Sequence, residues 1–341
     1  MTGRERILAA VAGGETDCLP CLPITMMVAA DLSGVRYRDY ATDHRVQASA
    51  QLRIARDLGF DHVSVVSDPC CEAHDCGTSV IFYDDTPPTP DEPGALLRDK
   101  GVLRTLRAPD PHVGTRMSNR LRAVEELANA VGGQLLVEGW IEGPCAEACD
   151  VRGINRFMVD FYDDPVFVHD LVEFVTEMEI EFARAQVDAG ADVIGIGDAA
   201  SSLIGPALYE EHVLPAAQRM VDAVHDAGAI CRMHICGNSR AILPLVAELG
   251  CEIVDVDSPV PMDAARAAVG DAQVLCGNLD PVREILDGTP ETILAGLARC
   301  CEQASPAYVV GAGCELPRGT PLENIRAIVA FARAMPGALA V

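Results

Sequence analysis

The chain has little positive charge. Of its 341 residues only 26 are Lys or Arg, against 51 Asp or Glu, and the formal charge is −25. Lys100 is the single lysine. Such a surface repels phosphate backbones, which argues against nucleic acid as a partner. Long apolar runs are also missing. No stretch of about 18 apolar residues occurs, so no membrane span is expected. Residues 1–12 place Arg4, Glu5 and Arg6 before a short apolar stretch, without the long apolar core and small-residue cleavage site of a signal peptide. They read as a first helix, and a cytoplasmic location is the expectation. Repeats, low-complexity tracts and a linker between two cores are absent, so residues 1–341 are expected to form one domain. The Pro-rich stretch 86–93 reads as a surface loop within it. Arginine in place of lysine, together with many alanines, points to a GC-rich bacterial genome.

Apolar residues make up 49% of the chain, enough for a large core. Fourteen cysteines are present. In a reducing compartment most serve as small buried hydrophobes, and a few are available as metal ligands. Short apolar runs alternate with longer helical patterns. Strands are predicted at 22–28, 62–66, 134–138, 193–197, 229–234, 253–257, 273–277 and 308–311. Helices are predicted at 43–58, 116–130, 165–189, 206–226, 240–249, 263–268, 289–303 and 321–334. Gly59, Gly190, Gly228 and Gly250 stand just past the last turns, where a left-handed cap is common. Apolar strands buried on both faces fit a parallel sheet. Eight strand–helix units in this length predict an α/β fold, a single (β/α)8 TIM barrel with an N-terminal helix. A doubly wound open sheet is the alternative. The long 67–93 segment contains 78–83, whose alternation predicts an inserted hairpin or loop over the barrel mouth.

Chemistry in such a barrel sits at the C-terminal ends of its strands. The residues falling there are Ser67, Asp68, Cys70 and Cys71; Glu138, Trp140 and Glu142; Asp198 and Ser201; His234, Cys236 and Asn238; Asp255 and Asp257; Asn278 and Asp280; and Cys314 and Glu315. His234 and Cys236, two apart at a strand end, can point to one spot, and imidazole with thiolate is what zinc prefers. Cys314 follows the last strand and shares the same mouth. Three such ligands leave a fourth position for water, a carboxylate or substrate, as in catalytic zinc sites. In a chain with fourteen cysteines, inert buried thiols explain the same residues equally well.

Cys70, Cys71, Glu72, His74 and Cys76 form a second group of ligand types, read first as a loop with buried cysteines. Cys18 and Cys21 have redox-motif spacing but precede a strand rather than open a helix, and read as structural. Cys300 and Cys301 read as helix packing. Asp198 and Asp257 fit either a fourth ligand and an acceptor for His234, or a strand-end cap. Glu142 joins them as a candidate catalytic group. Glu138, Trp140 and Asn278 are candidate substrate-binding residues, with core packing the alternative for Trp140. His62, His112, His169, His212 and His225 are given no role.

Three stretches, Gly277-Asn-Leu-Asp-Pro281, His234-Ile-Cys-Gly237 and Gly313-Cys-Glu-Leu-Pro-Arg-Gly-Thr-Pro-Leu-Glu-Asn-Ile325, together resemble the uroporphyrinogen decarboxylase superfamily. The likeness covers nearly the whole chain, including Arg4-Glu-Arg-Ile7. It implies a (β/α)8 barrel. True decarboxylases of that superfamily hold substrate propionates with arginines near the first strand and need no metal. Here Pro20-Cys-Leu-Pro-Ile-Thr-Met-Met27 carries none. The other branch comprises corrinoid-linked methyltransferases, which bind zinc through a His-x-Cys after the fifth strand and a distant Cys. Those positions are His234, Cys236 and Cys314.

The resemblance therefore implies zinc as cofactor and methyl transfer with a cobalt corrinoid. No Asp-x-His-x-x-Gly stretch marks a cobalamin domain, so the corrinoid is expected on a partner protein. The expected reaction moves methyl from a small O-, N- or S-methylated substrate to Co(I). Methylation of a coenzyme M-like thiol by methyl-corrinoid, uroporphyrinogen decarboxylation, and non-catalytic storage of corrinoid or metal are the alternatives. Arg36, Arg38 and Arg318 are open candidates for a substrate acid group, and a homo-oligomer is compatible with the sequence.

Overall fold

The computed structural model describes residues 1–337. Seven parallel strands follow one another in sequence order: β1 (His62–Ser64), β2 (Leu136–Glu142), β3 (Val193–Gly197), β4 (Ile230–Ile235), β5 (Ile253–Val256), β6 (Val274–Leu279) and β7 (Tyr308–Ala312). Helices between them pack on the outside, among them Thr115–Val131, Pro165–Asp188, Leu214–Asp226, Pro290–Ala304 and Leu322–Ala334. Among the described residues no helix is long and apolar enough to cross a membrane.

The first predicted strand, 22–28, is the main departure. Pro20 and Pro23 have no N–H to give, so a long ladder cannot form there. What remains is a two-sided bridge. Leu22 N donates to Val310 O (2.9 Å), Val310 N to Pro20 O (2.9 Å), and Asp61 N to Cys21 O (3.2 Å). Residues 20–22 thus bond to both edges of the curled sheet and close the barrel. The chain then turns at Thr25 into the helix Met26–Ser33. The third predicted strand, 134–138, runs longer than expected, to Glu142, and carries Trp140 and Glu142 within it. Helices Pro144–Arg152 and Ile154–Asp163 were not anticipated, although Pro144 stands at the first position of its helix, where proline is favoured. The expected hairpin is present: Val80–Ile81 pairs antiparallel with Thr89–Pro90.

Alternation along the strands sends every second side chain into the barrel. The N-terminal helix Gly3–Val11, with a Thr2/Glu5 capping box, plugs the bottom: Ile7 packs with Leu22, Leu136, Val193, Ile253 and Val274. Above that apolar layer Glu138, Arg232 and Asp255 are buried together with His62. At the mouth stand Trp140, Glu142 and His234. Gly195 and Gly197 on β3 are what admit the indole. A Cβ on Gly195 would lie 2.3 Å from Trp140 Cε3, and one on Gly197 2.9 Å from Cζ2.

Candidate metal centre

His234 stands on the inward face one residue before the end of β4, and Cys236 lies just beyond the strand. His234 Nε2 is 3.0 Å from Cys236 Sγ and 3.6 Å from Cys314 Sγ, and the two sulfurs are 3.7 Å apart. Zinc bonds of about 2.0–2.3 Å in a tetrahedron require ligand separations of roughly 3.3–3.8 Å. The two distances to Cys314 match, and the third is slightly short. The donor set, one imidazole and two thiols, is one that zinc prefers. Among the described residues this is the only group of three or more His, Cys, Asp or Glu side chains whose ligand atoms come this close.

The loops that bring the three together are braced. Gly237 takes a positive φ of 81° directly after Cys236, and its N–H donates to Asp257 Oδ2 at 2.6 Å. Gly313 N donates to Leu279 O (2.9 Å) just before Cys314. A Cβ on Gly313 would meet Ser258 N at 2.7 Å. Glu315 Oε1 accepts from Met27 N at 2.5 Å, tying the same loop to the first helix of the mouth.

Electrostatics divide the thiols. Hydrogen bonds from Cys236 and then His234 pull the Cys314 thiol well below its usual range, against the effect of burial. Cys236 is pushed up by its bond to Cys314 and by burial. Burial disfavours charge on His234, but the Cys236 sulfur and the Asp255 carboxylate beside it, with Cys314, outweigh that and raise its pKa. Under the imidazole runs a buried charge chain. Asp255 Oδ2 lies 3.3 Å from His234 Nδ1, off the line of a good hydrogen bond. The same oxygen accepts from Arg232 Nη2 (2.7 Å) and Nε (3.0 Å), and Arg232 Nη1 donates to Glu138 Oε1 (2.8 Å). Burial opposes the charge on Asp255, yet Arg232 and His234 hold it below the ordinary carboxylate range.

The other predicted residues are placed as follows. Asp257 bridges two loops, taking Gly237 N on one oxygen and Ser258 N (2.6 Å) on the other. Asp198 accepts from Ala146 N (2.8 Å) and Ser201 Oγ (2.5 Å), and burial raises its pKa to about 6. Glu142 Oε1 accepts from Trp140 Nε1 at 3.1 Å. Burial, then Glu72 and Asp150, push Glu142 well above its usual range. Trp140 lies between Glu142 and His234, its ring centroid 6.4 Å from the imidazole. Glu138 sits one layer deeper, bonded to Arg232 and 3.8 Å from His62. Asn278 Nδ2 donates to Val260 O (2.6 Å), and its oxygen accepts from Cys300 Sγ (3.4 Å).

Cys70, Cys71, His74 and Cys76 do not converge. Cys70 Sγ donates to Pro88 O (3.4 Å), His74 turns to Asp75 (3.1 Å), and Cys71 and Cys76 are buried. All fourteen cysteines are free. Arg36 pairs with Asp39 (2.9 Å) and Arg318 with Asp31 (2.6 Å), while Arg38 lies 3.8 Å from Asp84. Sequence reasoning left the Arg232–Asp255 pair out of the site. Its signal was an arginine in the middle of the apolar strand Ile-Cys-Arg-Met-His-Ile, beside an aspartate inside Ile-Val-Asp-Val. A charge buried in a barrel interior requires a partner there.

The family model for uroporphyrinogen decarboxylase matches residues 2–335. The chain belongs to the uroporphyrinogen decarboxylase family. Within that family it is 27% identical to a methylcobamide:CoM methyltransferase of Methanosarcina mazei, over 97% of this chain and 98% of the relative. It is also 27% identical to a methylated-thiol–coenzyme M methyltransferase of the same organism, over 98% and 90%. A uroporphyrinogen decarboxylase of Aromatoleum aromaticum is 30% identical over 68% of this chain and 67% of its own length. Among solved structures, a methyltransferase from Methanosarcina mazei superposes with a TM-score of 0.89 at 24% identity, covering 97% of this chain and 98% of that one. The superposition agrees with the family's barrel fold.

Proposed function

We propose that this family member is a zinc-dependent, corrinoid-linked methyltransferase. It takes methyl from a small O-, N- or S-methylated substrate and delivers it to a Co(I) corrinoid carried by a partner protein. The observation that carries this reading is the convergence of His234 Nε2, Cys236 Sγ and Cys314 Sγ at the open end of the barrel. The near-full-length relatives named as methyltransferases support it.

Zinc held by these three residues supplies a Lewis acid at the substrate heteroatom. The protein does the rest. Asp255, itself anchored by Arg232, fixes the imidazole so that Nε2 faces the thiols. Asp257 and Asp198 hold the loops after β4, β5 and β3. Glu142 is placed to orient the substrate or exchange a proton with it, since one oxygen is held by Trp140 Nε1 and the other is free.

A second reading runs the methyl group the other way, from methyl-corrinoid to a thiol. The relatives named methylcobamide:CoM methyltransferase favour it. Elemental analysis tests the shared core of both. About one zinc per chain is expected, and it should be lost in His234→Ala, Cys236→Ala and Cys314→Ala. A chain that takes up no zinc under reducing conditions would overturn both readings. Coproporphyrinogen formation by metal-free protein would establish decarboxylation instead, and corrinoid binding without turnover a storage role. With zinc in place, methylated donors with Co(I) cobalamin and free thiols with methylcobalamin decide the direction.

A further inference from the structure

A cavity of about 280 Å³ opens at the barrel mouth beneath the inserted hairpin. Apart from Glu92, Glu142 and Asp150, its wall is small or apolar. Glu142 is the wall residue that also stands level with the metal ligands. It pairs in register with Gly197, and Gly197 pairs with His234. Two strand steps of roughly 4.8 Å each separate the glutamate from the histidine. Gly197 between them has no side chain, and Glu142 Oε2 stands 3.3 Å from where its Cβ would be. Glu142 and His234 therefore border one gap, with the Trp140 indole along its edge.

The indole decides which oxygen of Glu142 carries a proton. An indole N–H only donates. Trp140 Nε1 donates to Oε1 at 3.1 Å, so Oε1 is the acceptor and a proton on the carboxyl belongs on Oε2. Oε2 has no hydrogen-bond partner among the described residues. The surroundings favour the acid form. Burial comes first, then Glu72 and Asp150, and only Arg120 and the indole pull the other way. Arg120 is itself engaged by Glu72 Oε1 and by the carbonyls of Trp140 and Asp68. Glu179, on the helix Pro165–Asp188, adds another buried carboxyl without a partner on the same side.

A neutral carboxyl offers an O–H, and that suits one class of methyl donor. When Co(I) takes the methyl group of an ether, the C–O electron pair stays on oxygen. An alkoxide or phenoxide is basic enough to need a proton, whereas a thiolate, less basic, leaves without one. An ether oxygen has two lone pairs, so it can meet the metal held by His234, Cys236 and Cys314 with one and an O–H with the other. A tertiary amine has a single pair and a quaternary ammonium has none.

Resting on the methyltransferase reading above, we propose that Glu142 is the general acid of the reaction and that the cavity takes a methyl ether. Co(I) attacks the methyl carbon, the C–O bond breaks, and Glu142 Oε2 passes its proton to the departing oxygen. The products are methyl-corrinoid, an alcohol or phenol, and a Glu142 carboxylate that solvent reprotonates before the next turnover.

The test compares anisole with 4-nitroanisole as methyl donors to Co(I) cobalamin, using the zinc-loaded full chain. Nitrophenol leaves readily as its anion, whereas phenol needs the proton. Glu142→Gln keeps an acceptor for Trp140 Nε1 but has no acidic proton. It should slow kcat for anisole about 100-fold or more, the usual worth of a general acid, with KM nearly unchanged, and slow 4-nitroanisole by about tenfold at most. Equal losses on both ethers would overturn the general-acid role. So would turnover of amine or thioether donors with none of either ether. Infrared difference spectra of wild type against Glu142→Gln at neutral pH need no turnover. A protonated-carboxyl C=O band missing from the variant is expected, and a carboxylate band in its place would overturn the proposal. Zinc content and thiol methylation by methylcobalamin, measured on the same preparations, report on the methyltransferase reading alone. Their failure removes that reading, while their success without ether turnover leaves it standing and removes this proposal.

Discussion

Asp255 reaches His234 from the neighbouring strand, its Oδ2 3.3 Å from the ring Nδ1, with the same oxygen bonded to Arg232. The carboxylate therefore serves two masters, a metal-facing imidazole above and a buried cation below. Removing such an outer partner costs about 10–100-fold in metal affinity. Asp255→Asn should show that loss in competition with a chromophoric chelator, with the fold retained. Asp255→Ala should go further and destabilise the barrel by about 3–5 kcal/mol, because Arg232 is left buried with only half its charge answered. Unchanged zinc retention in Asp255→Asn would refute the positioning role.

Trp140 and Gly195 are a matched pair. The Cβ of an alanine at 195 would stand 2.3 Å from the indole, closer than any real contact. Gly195→Ala is expected to cost about 1–3 kcal/mol by overpacking. Trp140→Leu alone should also destabilise, through the cavity it leaves. The double variant should be more stable than the sum of the two losses by about 1 kcal/mol or more. As the sole tryptophan, Trp140 reports on itself, and its emission should shift in Gly195→Ala. Additive losses in urea unfolding would show that the two side chains do not compete for the same space.

The alternation of apolar runs and helical patterns was enough to predict a parallel α/β sheet, with the closed barrel preferred to an open doubly wound sheet, because period and length are properties of the chain itself. His234, Cys236 and Cys314 were legible for a related reason: strand ends share one mouth, so residues 78 apart could be placed together before any coordinate was known. The first strand failed on Pro20 and Pro23, whose missing N–H groups shorten the ladder to a bridge while the apolar run continues. Trp140 and Glu142 were placed after β2 rather than in it, since Gly139 interrupts the run while the strand does not end there. Asp255 was less visible than Asp257. The two aspartates, two residues apart, lie on one face; which of them stands level with His234 depends on register, and register is set by neighbouring strands.

Asp61 locks the barrel seam. Its carboxylate accepts from Cys21 N (2.8 Å) and from Arg333 Nη1 and Nη2 (2.9 and 2.8 Å), and it contacts Arg6 as well. Two arginines and a strand-like N–H thus converge where residues 20–22 meet β1. Asp61→Ala should lose about 3–5 kcal/mol, since Arg6 is buried with it. Asp61→Asn should lose less, because its amide oxygen still satisfies Cys21 N. Chemical unfolding measures both. Equal losses would mean that the N–H contact contributes nothing to closure.

Asp198 gives the fold a pH dependence with a defined sign. Burial raises its pKa to about 6, against the pull of Ser201 and Ala146. The unfolded chain releases that proton near the ordinary aspartate value of about 3.9. Between the two values the folded state holds more protons than the unfolded one, so stability is full below about pH 4 and falls as pH rises through about 6. Asp198→Asn has no proton to lose. From pH 4 to pH 7 the wild type should therefore weaken relative to this variant by up to about 3 kcal/mol, the equivalent of roughly two pKa units. The comparison cancels the other carboxyls, which both proteins share. Unfolding curves for the pair at several pH values measure the difference, and parallel curves across that window would mean that Asp198 ionises in the folded protein as easily as in water.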